Sequence, residues 1–197
     1  YGLGARIIYS DITPKIDPLA TENLIGLTTG ILTGTFTPFS GSFTAVGKSP
    51  LTGTWGDSRG GGFFGPELKR AGFDAVFFYG RSPKPVYLWI KDSVVQIRSA
   101  SDIWGKDTTE TEDIVKEDCE DEKVQVASIG LSGEKMSKIS CIITDKGRAA
   151  GRSGLGAVMG SKNLKAVAVR GTRKILVEDH EKLLALRKKV LNELKED

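Results

Sequence analysis

Two stretches of this sequence are versions of one another, and the duplication limits the fold more than any other feature does. With Gly80 set over Gly171, an offset of 91 residues, "GGGFFGPELKRAGFDAVFFYG" lies over "GRSGLGAVMGSKNLKAVAVRG". Gly60 then falls on Gly151, Gly65 on Gly156, Leu68 on Met159, Phe73 on Leu164, Ala75 on Ala166 and Val76 on Val167. Upstream, "LTTGILTG" resembles "VASIGLSG", and each is followed by a strand and a glycine-bearing loop. The match covers a strand, a loop, a helix and a strand in each half. The chain therefore reads as a duplicated unit, about 24–80 and 124–171, with the two copies related by an approximate twofold axis.

Glycine is the anomaly of the composition, with 24 residues, and a cluster of glycines costs backbone entropy unless the chain must turn tightly or approach something closely. A glycine-rich loop running into a helix exposes N–H groups at the positive end of the helix dipole, which suits a phosphate or similar anion. Arg148 and Arg152 on one loop, and Arg59 with Lys48 near the other, add charge-assisted donors. Pseudo-symmetry predicts two such sites facing one another. Neither loop carries G-x-x-x-x-G-K-[ST], and "GRSGLGAVMG" lacks the preceding strand and the later acidic residue of a dinucleotide fold.

Other classes are excluded more simply. Lys and Arg number 28 against 25 Asp and Glu, a net charge of +3, too even for sequence-independent binding to nucleic acid. No apolar run reaches the roughly 18 residues of a membrane span, and no leader pattern opens the sequence, so a cytoplasmic protein is expected. Cys119 and Cys141 have no metal-site spacing and read as two thiols in a reducing compartment. The single histidine, His180, reads as a solvated first-turn residue, and without G-x-S-x-G a hydrolytic triad has little to build on.

Along the chain, "LIGLTTGILTG" and "SFTAVGKSP" read as strands, and a glycine loop then leads to a helix from Phe64 to Ala71 and a strand from Ala75 to Tyr79. "KPVYLWIKD" and "SVVQIRSA" form a hairpin turning at Asp92 and Ser93. Thr109 with Glu112 predicts a capping box opening an acidic helix. "KVQVASIG" and "KISCIITD" are strands, followed by a loop, a helix near 154–162 and a strand at 166–169. From Asp179 onward, Leu183, Leu184, Leu186, Val190, Leu191 and Leu194 fall largely on one side of a last helix. Its unpartnered face and the abrupt start lead us to expect a piece of a longer protein.

"LTTGILTGT", "GKSPLTGTWGDS", "GGGFFGPELKRAGFDAV", "KPVYLWI", "ASDIWGKDTTETE", "VASIGLSGE" and "RAAGRSGLGAVMGSKNLKAVAVRG" together resemble the N-terminal domain of the tungsten-containing aldehyde:ferredoxin oxidoreductases. The likeness runs from about Gly2 to Gly171, leaving 172–197 as a linker and first helix toward a following domain. It implies an α+β fold of two β-sheets related by the internal repeat, with short helices after the glycine-rich loops. It also implies a tungsten (or molybdenum) bis-molybdopterin cofactor with a magnesium ion bridging the pterin phosphates. Aldehyde oxidation to a carboxylic acid is then implied, with electrons passing through a 4Fe-4S cluster to ferredoxin in an anaerobe.

By the same resemblance, Arg148 matches an arginine that contacts the pterin, and Ala149 a position whose carbonyl holds the magnesium. Gly61 and Gly151 match glycines that let the backbone approach the cofactor, and Arg152 belongs to the same cofactor-binding loop. Two positions depart from the pattern: Ser42 stands where the family commonly has an arginine in "GGR", and Arg59 where an asparagine supplies the other magnesium ligand. A backbone carbonyl at Arg59 preserves that ligand, and the Arg59 side chain can return the charge missing at Ser42. The cluster cysteines and the substrate pocket are expected in later domains, so this piece alone is expected to be inactive and to act through the remaining domains. A homo-oligomer is left open. The competing reading is a non-catalytic module that binds a phosphate-bearing ligand with the same loops. A third, a purely structural or interaction domain, leaves the clustered glycines and arginines without a ligand to approach.

Overall fold

Ten short strands among the described residues form two sheets, and two seven-residue helices fill the space between the sheets. The computed structural model describes residues 2–196. The first half runs α1 (Gly2–Asp11), β1 (Ile25–Thr29), β2 (Phe43–Lys48), β3 (Trp55–Gly60), α2 (Phe64–Arg70) and β4 (Ala75–Phe78). A hairpin of β5 (Val86–Lys91) and β6 (Val94–Ser99) leads into the second half. That half comprises α3 (Thr108–Asp118), β7 (Gln125–Ser128), α4 (Leu131–Glu134), β8 (Ile142–Thr144), β9 (Arg148–Ala150), α5 (Leu155–Ser161) and β10 (Leu164–Arg170), before the final α6 (His180–Glu196).

One sheet has the order β3-β2-β1-β4 and the other β6-β5-β10-β7-β8-β9. Within each, the repeated strands follow one scheme: β1 lies between β2 and β4 as β7 lies between β8 and β10, all antiparallel. The hairpin extends the second sheet, with β5 parallel to β10. Helices α2 and α5 lie between the sheets, and every residue of α5 is buried. The shared core joins Leu27, Phe43, Phe64 and Leu68 of the first half to Ala127, Ile142, Met159 and Val167 of the second. Ile8 of α1 covers the outer face of one sheet with Leu24 and Val46, while Val115 of α3 packs outside the other with Trp89 and Val126.

The expected α+β architecture of two repeated sheets is what forms, with three local corrections. First, the segment preceding α2 and the start of the loop preceding α5 are strands, β3 and β9. Their backbone is recruited by β2 and β8, with Thr44 opposite Arg59 and Ile143 opposite Ala149. Second, the upstream repeat shifts by one residue. Register pairs Thr28 with Ala75 and Ser128 with Ala166, so Leu27 corresponds to Ala127, and both face the shared core. Setting Leu27 on Val126, as the letters suggest, would point it to the opposite face of the sheet. Third, α1 has no counterpart in the sequence reading.

The cap of α3 also lies two residues earlier than its motif suggests. Asp107 accepts hydrogen bonds from the N–H groups of Thr109 and Glu110, both at 2.8 Å, and Glu110 closes the capping box. Glu112 is committed elsewhere, accepting from Lys116 Nζ at 2.7 Å and from the Lys146 N–H. Asp107→Ala should therefore cost about 1 kcal/mol in thermal unfolding. Thr109→Ala should stay within about 0.5 kcal/mol of the parent, as expected for an exposed position away from the cap. Equal losses would overturn this assignment.

Helix α6 leaves Leu184, Leu186 and Leu194 exposed, and the exposed His180 meets only the edge of Phe36 at its start, with ring centroids 5.1 Å apart. No helix among the described residues is long and apolar enough to cross a membrane.

Candidate functional site

The two halves meet along a seam between β3 and β9, and hydroxyl groups stitch it. Ser49 donates its hydroxyl to the Ser153 carbonyl at 2.8 Å, and Ser153 in turn donates to the Asp57 carbonyl at 3.1 Å. The Arg152 N–H donates to Ser58 Oγ at 2.9 Å, and Thr144 donates to the Gly61 carbonyl at 3.3 Å. These bonds place a recess of about 500 Å³ across the seam, lined by Asp57, Ser58, Arg59, Ala149, Gly151 and Arg152.

Strand registers give that recess its symmetry. Thr28 pairs with Thr44, which pairs with Arg59; Ser128 pairs with Ile143, which pairs with Ala149. Since Thr28 and Ser128 are equivalent, Arg59 and Ala149 are the same position of the duplicated unit. They approach the seam from opposite sides, and both are exposed. By the same ladder Ser42 corresponds to Cys141. The helices confirm it independently: a Cβ on Gly65 would lie 2.8 Å from the Ser42 carbonyl oxygen, and one on Gly156 would lie 2.6 Å from that of Cys141.

Electrostatically the seam is an arginine-rich surface with few counter-charges. Arg59 and Arg152 form no ion pair among the described residues, and Arg148 has only Asp145, whose carboxylate oxygen lies 3.8 Å from its Nε. Arg59 Nε donates to Ser42 Oγ at 2.8 Å, which holds the guanidinium beside the residue that precedes β2. Gly61 lies beside Arg148, a Cβ there being 3.5 Å from a guanidinium nitrogen. The carboxylates nearby are engaged: Asp57 accepts from Trp55 Nε1 at 3.1 Å, and Asp145 accepts the Phe63 N–H across the halves. Burial pushes the Asp145 carboxyl above its ordinary value, the Phe63 N–H and Arg148 opposing. Exposed guanidinium groups with so few counter-charges attract phosphate more than any cation.

Seven of the residues singled out from sequence lie along this seam or beside it; Lys48 does not, because its ammonium is taken up by the Pro14 and Ile16 carbonyls and is no donor to a ligand at the seam. Ser42 and Arg59 line a recess of about 820 Å³ on the first half, and Arg59, Ala149, Gly151 and Arg152 line the central one. Gly61 and Arg148 sit at the end where Thr144 and Asp145 cross over. The helix starts, by contrast, are not exposed: Phe64 and Leu155 are fully buried, and the Gly156 N–H donates to the Ser140 carbonyl. The exposed arginines belong to strands and loops instead. Sequence reasoning missed Asp57 and Ser58, and also a third recess of about 400 Å³ on the second half, which includes Ser140 and Cys141. The match that sets Leu27 on Val126, carried onward at the same 99-residue offset, sets Ser42 on Cys141 and would have found it.

A duplicated α+β platform with an arginine-lined seam is thus the class of protein that fold and site define. The chain belongs to the aldehyde ferredoxin oxidoreductase family, whose N-terminal domain model matches residues 1–171. It is 45% identical over 196 residues to the tungsten-containing aldehyde ferredoxin oxidoreductase of Pyrococcus furiosus, and equally to that of Thermococcus kodakarensis, covering all of this chain and 32% of each. It is also 37% identical to the WOR-like subunit of an aliphatic sulfonate oxidoreductase of P. furiosus, over 98% of this chain and 33% of that one. Among solved structures, the active-site complex BamBC of benzoyl coenzyme A reductase, in complex with 1,5-dienoyl-CoA, superposes with a TM-score of 0.96 at 39% identity. That match covers 99% of this chain and 30% of the other. The chain therefore spans about a third of the length of the curated relatives it matches.

Proposed function

We propose that this chain is the cofactor platform of an oxidoreductase that converts aldehydes to carboxylic acids and passes the electrons to ferredoxin. The observation that carries the reading is the equivalence of Arg59 and Ala149 on facing strands, both exposed at the recess that Arg152 also lines, where Arg59 and Arg152 have no carboxylate partner among the described residues. Two phosphate-bearing pterins related by the same twofold would each meet one half.

The residues suit that group. Arg59, Arg148 and Arg152 would hold the phosphates, Gly61 and Gly151 would let the backbone come close, and the carbonyls of Arg59 and Ala149 would hold magnesium. Ser42 would contribute through the guanidinium it orients. In the wall of the third recess the Ser140 hydroxyl is buried and has no hydrogen-bond partner among the described residues, an unmet need. When bound, the tungsten or molybdenum held by the pterin dithiolenes supplies the two-electron redox chemistry. This chain's own part is to bind and orient. Its two cysteines cannot supply the four thiolates of a 4Fe-4S cluster. We assign the cluster, the choice of aldehyde and the ferredoxin contact to the protein beyond residue 171.

The test is metal and pterin analysis of the full-length protein purified without oxygen, by elemental mass spectrometry and the fluorescence of released, oxidised pterin. Tungsten or molybdenum with a pair of pterins per metal is expected; neither metal nor pterin would overturn the reading and favour a module for another phosphate ligand. Arg59→Ala should weaken pterin retention about tenfold or more, the scale of one charge-assisted hydrogen bond. Arg59→Lys should recover only part of it, because the amine cannot reproduce the guanidinium fork.

A further inference from the structure

We propose that Cys141 is a contact of the ligand bound by the second half, so that occupancy of the platform and chemical modification of this thiol exclude one another. The inference rests on the cofactor reading above. It starts from the symmetry of the halves: Cys141 occupies in one copy the position Ser42 occupies in the other. The copies have diverged there. Ser42 is held by Arg59, whereas the position equivalent to Arg59 is Ala149, so no guanidinium reaches Cys141 from that strand.

The thiol is half-buried and only weakly engaged, its one polar contact being the Ile139 carbonyl at 3.8 Å. It opens into the recess of about 400 Å³ shared with Thr108, Ser132, Ser137 and Ser140. Ser140, 2% exposed, belongs to the wall of the same recess, and its buried hydroxyl has no hydrogen-bond partner among the described residues. On the other side, a Cβ on Gly151 would lie 3.5 Å from Cys141 Sγ, so the thiol also adjoins the central seam. No basic residue lines this recess, and its carboxylate, Asp107, is occupied in capping α3. Hydroxyls and a thiol without nearby charge suit the neutral, hydrogen-bonding ring of a ligand whose phosphate lies toward the arginines.

Iodoacetamide reads this directly. The Cys141 thiolate attacks the iodine-bearing carbon, an S–C bond forms as the C–I bond breaks, iodide leaves, and the thiol proton passes to buffer. Full-length protein is prepared from cells grown with and without tungstate and molybdate, its pterin content is measured, and alkylation is followed by peptide mass spectrometry. Cys141 should react about tenfold or more faster in pterin-free than in loaded protein, since access to the thiol governs its rate. Cys119 is the internal control: burial pushes its thiol up to about 11, and it should stay slow in both. Pterin-free protein alkylated at Cys141 should then fail to take up extracted pterin cofactor, while treated and untreated Cys141→Ser should take up equal amounts of it. Equal reactivity of Cys141 in loaded and pterin-free protein, or no reactivity in either, would overturn the inference while leaving the platform intact. A protein that never contains pterin would remove the platform reading itself.

Discussion

Gly160→Ala should be among the most damaging single substitutions in this chain, lowering stability by about 3 kcal/mol, the upper range for overpacking a tight core. An added Cβ would lie 1.9 Å from the Gly133 carbonyl oxygen and 2.7 Å from its carbon, backbone atoms that no rotamer change can move. Helix α5 presents Gly156 and Gly160 to its surroundings one turn apart. That lets α4 and the Ser140–Cys141 backbone close on it from neighbouring directions. In an isolated helix the same change would be favourable by up to about 1 kcal/mol, so the sign of the result measures packing against propensity. For a chain of this size the midpoint should fall by roughly 6–12 °C in a circular-dichroism melt. Gly147→Ala, with nothing within 4 Å of the new methyl, is the matched control. A melting curve for Gly160→Ala that overlays the parent would mean that α4 is free to move away.

Lys165→Met should cost about 3–5 kcal/mol, the scale of leaving one partner of a buried ion pair alone. Lys165 is fully buried and donates Nζ both to Glu134 and to the Lys106 carbonyl at 2.7 Å. Glu134 also accepts the Gly105 N–H. Burial pushes the ammonium below the ordinary lysine value, and the pairing with Glu134 opposes the shift. Removing the lysine leaves a carboxylate in the interior with one N–H for company. Combining Lys165→Met with Glu134→Met should restore at least half of the loss, because two apolar groups need no counter-charge. Denaturant unfolding of the single and double variants would show it. A double variant less stable than Lys165→Met would mean that the Gly105 contact, and not the pair, is what the site depends on.

Much of this architecture was legible from letters alone because the duplication was. Gly65 and Gly156, or Leu68 and Met159, keep their correspondence in space since each pair occupies the same buried face of α2 or α5. Legibility failed where pairing partners rather than local pattern decide. "WGDSRG" and "RAA" carry no strand pattern of their own and become strands only because β2 and β8 lie alongside. The α1 segment was hidden by its two glycines, one of which, Gly4, is buried against Val46. The arginines were visible as charge, but the hydrogen bond that sets Arg59 over Ser42 depends on two strands lying side by side. Ser140 and Cys141 carry no charge and no motif, so only the repeat marks them, the offset that sets Leu27 on Val126 also setting Ser42 on Cys141.

The hydroxyl stitching of the seam has a consequence for the order in which the chain can complete itself. Its bonds join residues as far apart as Ser49 and Ser153, separated by 104 positions, with two more spanning 96 and 94. Each half can close its own antiparallel ladders over far shorter loops, which cost less entropy and form sooner. During synthesis from the N-terminal end, β1 to β4 can be in place before Ser153 has been made. The seam is then the last part of the domain to exist, so a ligand held there, on the reading proposed above, would meet two halves that had already folded.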